Sequence, residues 1–281
     1  MKMKKITFAA FMLPFAAGFV LCMAAPLFYG LALSFFDIFS NEFVGLQNYA
    51  GVIKNPVFLR AALNTAVLAA AAITALVAVS FFISCVLMRM PGRQSIAKIM
   101  AVPLAVPAVS VSYVWYSVFH YKGYLNGVLS VFFGRVNINW FSGPLMYLPV
   151  ILLFLWKNAG FAALIYLSGL NAIPREYEDV LRLDSEKLID RIRLIYWPCV
   201  FPQTFFVIII GLWRVMNIFT EIYAVWSDYP PLPLYLLQHF IYHNYMNMEY
   251  GRSVAAAVFL SFMVLAFAVI FRMAEKRYSD E

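Results

Sequence analysis

Six stretches of this chain run for about twenty residues or more with almost no charge, near Ile6 to Ser34, Ala61 to Met88, Ile99 to Phe119, Leu145 to Leu170, Cys199 to Tyr223 and Ser253 to Phe271. An apolar run of about twenty residues is what a helix needs to cross roughly 30 Å of hydrocarbon. In lipid, only α-helices and closed barrels satisfy every backbone polar group, and barrel strands would show short segments of alternating polarity. These runs do not alternate. The expected fold is therefore an all-α integral membrane protein with six spans. Composition agrees, because 64% of residues are hydrophobic and only 12% charged, about half the charged share of a soluble domain.

The first run follows Lys2, Lys4 and Lys5 and so resembles a signal peptide, but it stays uncharged to Phe36. That is too long for a cleavable core of about 7 to 15 residues, and a retained first helix is expected. Orientation follows from the basic residues. With the N-terminus cytoplasmic, the inner segments hold Lys2, Lys4, Lys5, Arg89, Arg93, Lys98, Arg175, Arg182, Lys187, Arg191, Arg193, Arg272, Lys276 and Arg277. The outer segments hold only Lys54, Arg60, Lys122, Arg135 and Arg252. This asymmetry places both termini in the cytoplasm. The net charge of +7 is explained by topology and anionic lipid, with no nucleic-acid partner needed.

Cys22, Cys85 and Cys199 sit in or beside spans at unrelated intervals, which suggests neither a disulfide framework nor a metal site. His239 and His243 stand four apart in a polar, aromatic outer loop and are read as solvated. No phosphate-cradling loop, nucleophile elbow or Ser-His-Asp pattern is present in the sequence, so no catalytic residue is assigned and ATP must be handled by another chain.

One segment breaks the pattern. Residues 174 to 198 read PREYEDVLRLDSEKLIDRIRLIYWP and carry eleven charged side chains, five basic and six acidic. Within them Tyr177, Val180, Leu181, Leu188, Ile192 and Ile195 recur at helical spacing. The segment reads as a short helix from Pro174, a turn near Asp184-Ser185, and a second helix ended by Pro198. An apolar stripe on a cytosolic loop calls for a partner surface, and near-balanced charge favours protein over lipid.

This segment resembles the cytoplasmic signature loop of permease subunits in binding-protein-dependent ABC importers, approximately I-P-x-E-L-Y-E-A-A-x-x-D-G-A followed by I-x-x-P. Ile173-Pro174-Arg175-Glu176-Tyr177-Glu178-Asp179-Val180-Leu181-Arg182-Leu183-Asp184-Ser185 fits without a gap, and Ile195 and Pro198 close it. Further motifs are similar to those of carbohydrate-type permeases: Ser34-Phe35-Phe36-Asp37, Phe43-Val44-Gly45-Leu46-Gln47-Asn48-Tyr49, Asn64-Thr65, Gly123-Tyr124-Leu125-Asn126 and Tyr250-Gly251. The second of these resembles the first of the two permeases such operons encode. Asp179 stands where the family has glutamate, Val180 and Leu181 where it has alanines, and Ser185 where it has glycine. Ser227-Asp228-Tyr229-Pro230-Pro231 replaces a glycine-rich outer segment.

The resemblance implies a single six-helix type I (MetI-like) permease domain over residues 1–281, with a coupling loop at 171–198, in the bacterial inner membrane. It implies a second permease, two ATPase subunits holding ATP and Mg, and an external solute-binding protein as partners. Tyr177, Asp179, Val180, Leu181, Arg182, Asp184, Ser185 and Arg191 would then form the element that couples to the ATPase. Ionisable side chains deep in hydrocarbon are costly and point to function. Lys157 beside Asn158, and Arg214 with Asn217 and Glu221 on one helix face, are therefore candidate pathway residues. So are Tyr113, Trp115 and Tyr116, whose rings suit sugar faces. Equally, Arg214 and Glu221 suit a packing network, and the aromatics an interfacial belt. Two cations with one acid suit an anionic solute such as an acidic sugar or sugar phosphate. Pro103 and Pro107 should bend the third span. The alternative readings are an ion-coupled carrier, a membrane enzyme, and a non-transporting scaffold or sensor subunit.

Overall fold

The computed structural model describes residues 2–38, 40–174, 176–177 and 188–279. Among them, five helices are long and apolar enough to cross a membrane: Phe11–Leu33, Pro56–Leu87, Gly143–Asn171, Phe201–Trp226 and Tyr250–Ile270. In helical terms these are α1 (Lys2–Phe19) running through a π turn into α2 (Ala25–Leu33), α4 (Pro56–Leu87) after the short α3 (Gln47–Ile53), and α8 (Tyr147–Asn171). Then come α11 (Phe201–Asn217) with α12 (Phe219–Trp226), and α14 (Tyr250–Ser279). Between α4 and α8 lie α5 (Arg93–Met100), α6 (Ala108–Phe119) and α7 (Tyr124–Phe133). The remaining helices are α9 (Leu188–Arg191), α10 (Trp197–Cys199) and α13 (Leu237–Met246).

The third span differs from the single helix over Ile99 to Phe119. It is a broken pair, Arg93–Ala105 and Ala108–Phe133, bent by 95°. Two prolines are responsible. Pro103 lies in a 3-10 turn over Val102–Ala105, Val106 is extended (φ -72, ψ 130), and Pro107 precedes α6. A proline has no N–H for the preceding turn and pushes its predecessor out of the helical region. The bend is therefore a full break.

Two other prolines are absorbed without a break. Pro26 and Pro198 each follow a π turn, Val20–Ala24 and Ile192–Tyr196 respectively. Widening the helix just before the ring relieves its clash with the preceding carbonyl. Pro198 thus does not end its helix, contrary to the sequence reading; the chain turns only at Val200 (φ -99, ψ 10).

The described residues form two compact units. The first comprises Met1–Arg60 and Leu237–Phe262. Here Asn48 Nδ2 donates to the carbonyls of Ser34 and Phe36, at 3.0 and 3.2 Å, and the Ser34 hydroxyl meets the Tyr49 hydroxyl at 2.7 Å. Phe36 and Phe43 pair as an antiparallel bridge. The motifs at 34–37 and 43–49 are thus one interlocked turn. A Cβ on Gly251 would stand 2.6 Å from Asn48 Nδ2, which accounts for a glycine beside Tyr250. Phe58 packs on Phe240 and Phe259, with ring centroids 5.4 and 5.5 Å apart.

His239 is also in this unit and only 1% exposed, so it is not the solvated loop residue expected; it lies on α13. Burial, with His243 nearby, pushes its imidazole down to about 4.

The second unit comprises Ala61–Leu236 and Met263–Glu281. Its core joins α4, α8 and α11 through Leu68, Leu76, Phe154, Tyr166, Val207 and Leu212. Asn64 donates to the carbonyls of Leu232 and Tyr235, at 2.7 and 3.0 Å. Asn126 is a hub: its Nδ2 donates to the carbonyls of Tyr121 and Ile138, and its Oδ1 accepts from Trp140 Nε1. Gly123 lies against the carbonyls of Ser117, Val118 and His120, where a Cβ would collide. These contacts give the Gly123-to-Asn126 and Asn64-Thr65 motifs a structural cause.

Candidate functional site

Three charged residues deep in the spans, Lys157, Arg214 and Glu221, line one cavity. Lys157 lies on α8, ten residues after Tyr147, about 15 Å along a helix rising 1.5 Å per residue. From there its Nζ reaches Glu221 Oε1 on α12 at 2.6 Å, with side-chain exposures of 12% and 11%. This ion pair joins positions 64 residues apart.

Arg214, near the end of α11, is half-buried, and its guanidinium stacks 4.8 Å from the Trp213 ring centroid. Its Nε is buried and has no hydrogen-bond partner among the described residues. Lys157, Asn158, Arg214, Asn217 and Glu221 together line a cavity of about 240 Å³, to which Leu104 and Ala108 contribute from the two sides of the broken span. Asn158 and Asn217 each turn an amide N–H back onto their own helix, to the carbonyls of Phe154 and Trp213 at 2.8 Å.

Toward the N-terminal end of α8 a second, tighter space begins. Trp115, Tyr116, Phe141 and Trp226 close around it, with Leu153 and Glu221 lining both spaces. Tyr116 stacks on Phe141 at 5.3 Å, and Trp226 meets both rings edge-on at 5.8 and 5.1 Å. The free volume is about 20 Å³, roughly enough for one water. Trp115 Nε1 donates to the Pro149 carbonyl at 2.8 Å, which holds α6 against α8.

Of the sequence candidates, Lys157, Asn158, Arg214, Asn217 and Glu221 therefore share one cavity, and Trp115 and Tyr116 form the aromatic closure beside it. Tyr113 does not join them; it is 56% exposed and lines neither space. Phe141 and Trp226 were missed, since each is an aromatic in or beside a loop with no pattern to mark it. Nor does the sequence mark the Lys157–Glu221 pair, because helical spacing relates Glu221 only to neighbours on its own helix.

Two close contacts hold neighbouring helices against α8, which carries Lys157. Gly160 lies against the Met100 carbonyl, where an added Cβ would overlap backbone, so α5 ends directly on α8. Ser84 Oγ donates to the Ala163 carbonyl at 2.9 Å and ties α4 to the same helix.

In the charged segment, Tyr177 is 58% exposed. Asp179, Val180, Leu181, Arg182, Asp184 and Ser185 lie outside the described residues. Beyond them, the apolar stripe does not remain free as expected. Ile195 is 5% exposed, and it and Ile192 pack into this chain's own core. Ile189 and Leu194 are exposed there instead. Arg191 is half-buried, with its Nε lacking a hydrogen-bond partner among the described residues.

A family model described as "binding-protein-dependent transport system inner membrane component" matches residues 91–280. The chain is similar to the trehalose/maltose transport system permease protein MalF of Thermococcus litoralis, 24% identical over 82% of this chain and 79% of that protein. It is similar to the sn-glycerol-3-phosphate transport system permease protein UgpA of Agrobacterium fabrum, 26% identical over 85% and 83%. Its fold matches a chain of a bacterial ABC transporter involved in the import of the acidic polysaccharide alginate, with a TM-score of 0.82, 19% identity, and coverage of 98% of this chain and 96% of that chain.

Proposed function

Because this chain belongs to the binding-protein-dependent transport system inner membrane components, we propose that it is the transmembrane subunit of an ATP-driven importer of a sugar or oligosaccharide. In this reading it forms the pathway with a second permease, takes its solute from an external binding protein, and leaves ATP and Mg to two ATPase subunits beneath. Both termini face the cytoplasm. The observation that carries the reading is the charged cavity midway along α8, in a chain whose long helices suit a bilayer.

The topology supports a mechanism for this reading. The segment between α8 and α11 connects the two helices that carry Lys157 and Arg214. Lys157 stands about 21 Å before the end of α8, and Arg214 about 20 Å after the start of α11. A displacement applied to that segment is therefore delivered to both sides of the cavity at once. A rigid helix seated in a partner transmits such a movement better than a flexible loop. Tyr177, Asp179, Val180, Leu181, Arg182, Asp184, Ser185 and Arg191 act as the coupling element. Lys157, Asn158, Arg214, Asn217 and Glu221 line the path, with Trp115 and Tyr116 at its aromatic closure. The tight fit at Gly160 makes α5 move with α8.

The test is charge reversal at Asp179 and Asp184 in the reconstituted importer. Asp179→Lys and Asp184→Lys should leave ATP hydrolysis running without matching uptake. Unchanged transport by both variants would remove the coupling assignment. Proton-driven uptake by this chain alone would instead favour a secondary carrier.

A further inference from the structure

We propose that Arg214 selects for solutes carrying an anionic group on or next to a sugar or polyol, and that Lys157 has no part in that selection. The proposal rests on the importer reading above and deepens it.

Three charged side chains line the cavity, and two cations less one acid leave one positive charge. The geometry assigns that charge. Lys157 is committed to Glu221 at 2.6 Å, and the pair is neutral as a unit. Among the described residues Arg214 has no such acid: its guanidinium lies against the Trp213 ring, and its buried Nε is unpaired. A half-buried guanidinium whose Nε is shut away from water without a partner is unfavourable until an anion reaches it. Its planar fork matches the two oxygens of a carboxylate, phosphate or sulfonate.

Trp213 sharpens the class. The residue is 60% exposed, and its ring lies directly beside the guanidinium. An aromatic face next to a cation suits a ring or polyol whose C–H groups stack while its acid pairs with the arginine. The asparagines do not compete for this role, because their amides carry no charge to pair with an acid, and each turns one of its N–H groups back onto its own helix. The cavity's 240 Å³ is several times the volume of one water, so a residue of the solute enters rather than a bare ion.

The experiment uses the complete importer in proteoliposomes, with its second permease, ATPase pair and binding protein. Three labelled probes are compared: trigalacturonate, glycerol 3-phosphate and maltotriose. Wild type should take up one of the acidic probes at least tenfold faster than maltotriose, and which one separates a carboxylate from a phosphate. Arg214→Gln should cut that uptake about tenfold or more, the scale of one lost charge-assisted hydrogen bond. Arg214→Lys, which keeps the charge and loses the fork, should fall between. Lys157→Met combined with Glu221→Gln should keep the acidic-over-neutral ratio even where the rate falls.

Equal uptake of acidic and neutral probes by wild type overturns the proposal and leaves the importer intact. So does unchanged acidic uptake by Arg214→Gln in a complex that still assembles on size-exclusion chromatography. A ratio that collapses in the Lys157/Glu221 double variant also overturns it. A wild-type complex that hydrolyses ATP with loaded binding protein yet imports none of the three overturns the anionic class. A complex that neither hydrolyses ATP nor imports any probe overturns the importer reading and this proposal with it.

Discussion

Removing one partner of the Lys157–Glu221 pair should be costly, and the two removals should differ. At an effective dielectric of about 20, charges 2.6 Å apart attract by about 6 kcal/mol. Desolvating two ions costs several kcal/mol each, so the intact pair is close to neutral in net stability. Breaking it is another matter. Glu221→Gln leaves Lys157 and Arg214 as two cations facing one cavity with no acid. The expected loss is about 3–5 kcal/mol. Lys157→Met leaves Glu221 with Arg214, seven residues back and about 10 Å along the helix axis, as a substitute partner. Its expected loss is smaller, about 1–2 kcal/mol, since a buried charge is then still compensated. The double variant should recover most of the Glu221→Gln loss. At roughly 2 °C per kcal/mol for a chain of this size, Glu221→Gln should lower the midpoint by about 6–10 °C. The assay is the intact-complex fraction after heating, read by size-exclusion fluorescence for wild type, both single variants and the double. A Lys157→Met variant more damaged than Glu221→Gln, or a double variant no better than Glu221→Gln, would refute this assignment of charges.

At Gly160, substitution by Ala should cost about 1–3 kcal/mol, because the new methyl meets the Met100 backbone, which cannot rotate away. Gly127→Ala on α7 is the control: nothing lies within 4 Å of its Cβ position, so the better helix former should gain up to about 1 kcal/mol. Comparing the two thermal midpoints checks both. His239 makes stability pH-dependent. Its folded value of about 4 lies below the ordinary 6.5, so between them the unfolded chain binds the proton and the native chain does not. Stability is then fully present above pH 6.5 and declines as pH falls toward 4, by about 2–3 kcal/mol at pH 4.5. Midpoints for wild type and His239→Phe between pH 7.5 and 4.5 isolate this contribution, and parallel curves would count against it.

Much of the fold was legible because its cause is local. Each span announces itself as an apolar run, since in lipid a helix needs no partner to satisfy its backbone. The break in the third span was announced by Pro103 and Pro107, though its 95° angle was not. The motifs at 34–37, 43–49, 64–65 and 123–126 could be matched to a family, but their physical role appeared only when Asn48, Asn64 and Asn126 were seen holding carbonyls far from them in sequence.

Residue type and depth alone marked Lys157, Arg214 and Glu221 as candidates, because charge in hydrocarbon is expensive wherever the chain places it. Which of the three neutralise one another was decided by tertiary structure. Ion pairing falls off within a few ångströms, and helix spacing says nothing about two residues 64 positions apart on different helices. The same limit explains His239 and Ile195: the sequence shows a polar loop and an apolar stripe, but burial depends on the neighbouring elements, and those pack both residues inside. The sequence by itself therefore determined a six-run membrane chain with charge at mid-span. Packing decided that one of its two deep cations is already spent.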